Sequence, residues 1–79
     1  MKKQDRVPDA RTILAANVQE LRMKTGISQE KLAEMAGFHR TYVSQVERRL
    51  ANVTVDNVQK LADVLSVPVT RLFEAPKGG

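Results

Sequence analysis

The sequence predicts an all-α domain of five short helices, and three observations carry that prediction. Apolar residues recur three and four positions apart, the spacing that lines one side of a helix. Capping residues and glycines cut the chain into short segments at the places where helices begin and end. No stretch alternates polar and apolar residues over the length of a strand, so no sheet is expected.

Each element follows from its own residues. Asp9, after Pro8, is a helix N-cap, and Leu14, Val18 and Leu21 then share a face, widened by Ile13, of a helix over residues 10–25. Gly26 supplies the left-handed residue that stops it, with Ile27 placed to pack over the end. Ser28 caps a second helix whose inner face is Leu32, Ala33 and Ala36 and which ends before Gly37. A third begins at His39 or Arg40, with Val43 and Val46 as its apolar pair. Those two β-branched residues lower its intrinsic propensity, so packing must hold it. Thr54 caps a fourth, with Val55, Val58, Leu61, Ala62 and Leu65 at helical spacing. Pro68 suits the first turn of a short fifth helix carrying Val69, Leu72 and Phe73. Met23 and Met35 are read as fillers of the core or its rim. One domain over residues 10–74 results, with residues 1–9 as a flexible arm and 75–79 as a frayed tail.

Composition removes several classes of function. With 79 residues and no Cys, the chain has neither disulfides nor thiolate metal ligands, so helix packing, dimerisation or both must stabilise it. One His with no ligand partners nearby makes no metal site, and His39 is read as a turn or cap residue. There is no Gly-rich phosphate loop, no HExxH and no spaced acid pair, so neither an enzyme nor a bound cofactor is expected. The longest apolar run, Ile13 to Ala16, is far shorter than the ~20 residues a membrane crossing needs, and no signal-like apolar segment follows the charged start. A cytoplasmic, nucleoid-associated protein is the expectation. The net charge of +4 is confined to residues 1–52, while 53–79 sum to zero. That division separates basic work from neutral work.

The twenty residues from Gln29 to Arg48 carry the function. Two helices that cross steeply through a short turn need a small residue at the contact, here Ala33, and a residue free to take positive φ in the turn, here Gly37. Val43 and Val46 then anchor the second helix on the first. This is the spacing of a helix-turn-helix. At roughly 100° per residue, Arg40, Thr41, Ser44, Gln45 and Arg48 fall within about 140° of arc, opposite the valines. That stripe contains no acid. Arg matches the O6/N7 pair of guanine, Gln the N6/N7 pair of adenine, and a Thr methyl the thymine methyl, so Arg40, Thr41, Ser44 and Gln45 are assigned to base reading. Ser28, Gln29, Tyr42, Arg48, Asn52 and Thr54 are assigned to the phosphates, from two helix N-termini and the rim of the reading helix. Ser28 and Thr54 also have a purely capping role, worth ~1 kcal/mol each. Arg22 and Glu47 are read as a partly buried ion pair tying the first helix to the third.

The stretch ISQEKLAEMAGFHRTYVSQVERR resembles the helix-turn-helix family of phage Cro and C1-type repressors, the XRE family. The resemblance spans residues 13–74 and includes the AxxLSVPVTRLFE ending. It implies a compact five-helix, lambda-repressor-like domain. The string HRTYVSQVERRLANVTV is most similar to restriction–modification controller proteins, which implies a homodimer on operator DNA. By position, the resemblance gives Gln29 a phosphate contact, Arg40, Thr41 and Gln45 base contacts, Tyr42 and Ser44 neighbouring contacts, and Arg22–Glu47 the family's ion pair. Two positions depart from the pattern. Arg49 stands where the family usually has Gly, which suggests that the third helix runs on until Asn52 takes the left-handed conformation. Ala51 stands where controllers often have Arg, removing one DNA contact.

A homodimer on a pseudopalindromic site also follows from geometry, because one reading helix covers few base pairs and two spaced by about 34–36 Å gain affinity through symmetry. Val69, Leu72 and Phe73 are the expected dimer contacts. The competing reading is an antitoxin-like protein-interaction module on the same fold. Such modules usually append a long segment that wraps the partner, and only nine residues precede the first helix here. An RNA role is disfavoured by the 4% aromatic content, too little for a stacking platform. No small-molecule effector is expected.

Overall fold

Three of the four α-helices begin where a side chain answers an unpaired N–H group. The computed structural model describes residues 9–75; the expected arm and tail fall almost wholly outside them. Asp9 Oδ1 accepts from the Thr12 N–H at 2.9 Å and starts α1 (Ala10–Thr25). That bond also holds the Asp9 carboxyl below the usual carboxylate range. Ser28 Oγ accepts from the Lys31 N–H at 2.9 Å and starts α2 (Gln29–Ala36). Thr54 Oγ1 accepts from the Asn57 N–H at 3.0 Å and starts α4 (Val55–Leu65). α3 (Arg40–Glu47) has His39 at its cap position, but no side-chain bond closes it. Its fully buried Val43 and nearly buried Val46 hold it instead.

Every α-helix ends in the same way, on a residue in the left-handed conformation whose own N–H and that of the next residue return to carbonyls of the last turn. In α1 the Gly26 N–H bonds the Met23 carbonyl (3.1 Å) and the Ile27 N–H the Arg22 carbonyl (3.3 Å). α2 closes on Gly37 at φ 82°, and α4 on Ser66 at φ 61°. α3 closes on Arg49, at φ 65°. The Arg49 N–H bonds the Val46 carbonyl (3.1 Å) and the Leu50 N–H the Gln45 carbonyl (2.8 Å). The helix therefore does not run on to Asn52; Arg49 itself adopts the conformation that glycine would adopt more easily.

The fifth element is a 3-10 helix, Val69–Phe73, rather than an α-helix. Its Arg71 N–H bonds the Pro68 carbonyl at 2.9 Å, the i to i+3 pattern that a five-residue segment can complete. It packs on α1 and α4, while α2 and α3 pack on each other and α3 also on α1. Leu14, Val18, Leu32, Val43, Leu61 and Leu72 meet in the core. Asn17 is the buried polar residue among them, and it is fully answered. Its Nδ2 donates to the carbonyls of Leu72 (2.9 Å) and Glu74 (3.0 Å), and its Oδ1 accepts from Arg71 Nη1 (3.3 Å). One side chain thereby ties the end of the chain to α1.

Three expectations are corrected. Leu72 has no exposed surface and belongs to the core of its own chain, so it is not a dimer contact. Val55, in the first turn of α4, is 83% exposed, because the core-facing stripe of that helix starts one turn later at Val58. Met23 and Met35 stand in solvent at 64% and 53% exposure rather than filling the core edge. No helix among the described residues is long and apolar enough to cross a membrane.

Candidate nucleic-acid interface

The turn between α2 and α3 sets the geometry of the site. Gly37 takes φ 82°, and a Cβ built on it meets nothing within 4 Å. Its requirement is therefore conformational and not steric. The Phe38 N–H returns to the Ala33 carbonyl at 2.8 Å, and Ala33 is buried where the two helices meet. Phe38 packs its ring against Tyr42 with centroids 4.7 Å apart, and Lys60 from α4 lies over the Phe38 ring at 5.7 Å. The turn is thus braced from both sides.

With its valines inward, α3 turns Arg40, Thr41 and Gln45 outward to solvent, Ser44 half outward, and Arg48 outward just past the last turn. The side-chain hydrogen bonds among the described residues leave Arg40, Thr41, Gln45 and Arg48 uncommitted, while their neighbours are engaged. A row of free donors and acceptors on a rigid helix is what hydrogen bonding to base edges requires.

The flanking residues are held more firmly than the sequence suggests. Ser28 and Thr54 both cap, as described, and both stay exposed at helix N-termini whose first N–H groups point away from the helix. Tyr42 is half-buried, and its hydroxyl accepts from Asn57 Nδ2 at 3.1 Å, leaving its own proton for another acceptor. Asn52 is exposed, and its Oδ1 accepts from Arg11 at the start of α1. Gln29 donates from Nε2 to Glu47 Oε1 at 2.9 Å. Ala51, at the second departure from the family pattern, is 7% exposed and builds the core.

Arg22 and Glu47 form a two-pronged pair, Nε to Oε2 at 2.6 Å and Nη2 to Oε1 at 3.1 Å. Their side chains are only 13% and 3% exposed. Arg22 also donates from Nη1 to the Ile27 carbonyl at 2.9 Å, so its guanidinium joins α3 to the turn that precedes α2. Sequence reasoning missed Asn17, Arg11 and Asn57 because each finds its partner across the fold. Only Asn57 had a local sign, three positions after a cap.

The comparisons with known proteins agree with this geometry. The profile of the helix-turn-helix family HTH_3 matches residues 18–72. The chain is 42% identical over 69 residues to a hypothetical transcription factor of Neisseria meningitidis, a match covering 87% of this chain and 65% of that protein. It is 45% identical over 65 residues to the control protein C.SmaI of Serratia marcescens, covering 82% and 77%. Among solved structures, the Neisseria factor superimposes with a TM-score of 0.85 at 42% identity, covering 87% of this chain and 79% of that one. The restriction–modification controller protein C.AhdI of Aeromonas hydrophila does so with a TM-score of 0.77 at 40% identity, covering 80% and 91%. These relatives are named as regulators and control proteins rather than enzymes. Sequence profile, identity and superposition thus converge on one conclusion: the chain belongs to the helix-turn-helix family of XRE type, with restriction–modification controller proteins among its relatives.

Proposed function

We propose that this protein is a sequence-specific regulator of transcription that binds double-stranded operator DNA as a homodimer, in the manner of a restriction–modification controller, within the cytoplasm and on the nucleoid. One observation carries the reading: Arg40, Thr41 and Gln45 are exposed, and uncommitted among the described residues, on the side of α3 opposite its buried valines. On this reading Arg40, Thr41, Ser44 and Gln45 contact base edges. Ser28, Gln29, Tyr42, Arg48, Asn52 and Thr54 contact phosphates and fix the register.

The dimer reading is supported at the other end of the molecule. Val53, Val55, Val58, Val69 and Phe73 line an apolar groove of about 290 Å³ in the part of the chain that carries no net charge. Val69 and Phe73 remain dimer contacts on this reading, joined by Val55. A footprint on the DNA immediately upstream of the gene tests the function. Protection of two half-sites about one helical turn apart is expected; absence of any protected site, with no salt-sensitive binding to duplex DNA, overturns it.

A further inference from the structure

We propose that Glu47 is a positioning residue for phosphate binding, acting through the side chain of Gln29; the inference rests on the DNA-binding reading above. An acid at the end of a helix that reads DNA is at first sight misplaced, because a free carboxylate repels phosphate. Here its charge is answered: the Glu47 side chain is 3% exposed and both its oxygens accept from Arg22. What remains is the acceptor that holds the Gln29 amide nitrogen at 2.9 Å.

That bond decides the orientation of the Gln29 carboxamide, which otherwise has two equivalent ways round. With one N–H directed to Glu47, the second N–H of the same nitrogen is left for an acceptor on the solvent side, where Gln29 is half-exposed. Gln29 is also the first residue of α2, directly after the cap Ser28, so a phosphate at this helix N-terminus lies next to that N–H. Arg22 completes the linkage, since it bonds both Glu47 and the Ile27 carbonyl, two residues before Gln29. A buried pair thereby holds the phosphate-binding end of α2 at a set distance from the base-reading face of α3.

A double-mutant cycle on DNA affinity tests this, with Glu47→Gln and Gln29→Ala made singly and together. The probes are the duplex from upstream of the gene and a random-sequence duplex of equal length, and thermal melting reports folding. Either single change should weaken binding to both duplexes by about tenfold, the effect of one lost hydrogen bond to a charged group. In the Gln29→Ala background, Glu47→Gln should add almost nothing. If Glu47→Gln fails to fold, the paired change Arg22→Met with Glu47→Met replaces it, keeping the packing without the carboxylate, and the same pattern is expected. Equal losses in both backgrounds, or no loss from Glu47→Gln, overturn the inference and leave the DNA-binding reading standing. Failure of the unaltered protein to bind either duplex overturns both.

Discussion

At position 40 an arginine stands exposed on the first turn of α3, and its value lies in having no side-chain partner among the described residues. Arg40→Ala should lower affinity for the operator by about 1–3 kcal/mol and relax discrimination at one base pair, measured across a panel of single-base operator variants. The buried pair behaves oppositely, because both members are already engaged. Arg22→Met alone leaves the Glu47 carboxylate buried without its counter-charge and should cost about 3–5 kcal/mol of stability. The double change Arg22→Met with Glu47→Met should recover most of that loss, because hydrophobic replacement of both partners is often neutral. Denaturant unfolding of the two variants checks the difference. These roles were open to sequence reasoning to unequal degrees. The outward stripe of α3 follows from helical periodicity around Val43 and Val46. The link from Glu47 to Gln29 does not, because it joins residues 18 positions apart through space.

The helices share one device for stopping, and it separates residues that suit the left-handed conformation from residues that tolerate it. Gly26 and Gly37 occupy it without strain, whereas Arg49 and Ser66 carry a Cβ there. Arg49→Gly and Ser66→Gly should each stabilise the fold by up to about 1 kcal/mol, seen as a rise in melting temperature of several degrees. Ser66→Gly, at the C-terminal end of α4 and outside the residues assigned to DNA, should leave operator affinity unchanged. Gly37→Ala should destabilise by about 1–2 kcal/mol from conformation alone, since there is space for the methyl group. Three of the four α-helix starts are legible as caps in Asp9, Ser28 and Thr54. The end of α3 is not, because an arginine stands where the family usually has glycine, and the stop was expected at Asn52 instead of Arg49.

On the proposed reading, the whole molecule divides into a face for nucleic acid and a face for a second copy. Binding constants should fall with salt at a log–log slope near −0.9 per neutralised phosphate, so Arg48, the cation among the assigned phosphate contacts, should contribute a slope of about −2 from two protomers. Isothermal titration at several salt concentrations measures it. On the neutral side, Phe73→Asp should leave the fold intact, because Phe73 is 42% exposed, and should shift sedimentation toward a monomer with weaker operator binding. Leu72→Asp, one residue earlier, should unfold the chain instead, because Leu72 is wholly buried.

Sequence alone determined the helical class, the caps, the turn at Gly37 and the outward residues of α3, because these depend on periodicity and on conformational preferences that act over a few neighbouring residues. Tertiary structure decided which apolar residues face inward along the last third of the chain. It turned Leu72 into core and left Phe73 on the groove, since a short terminal segment has no periodicity of its own to choose a side. It also decided the partners of Asn17, Gln29 and Asn57. A polar side chain's role inside a fold is set by whichever donor or acceptor packing brings within about 3 Å, and that distance is not written in linear order.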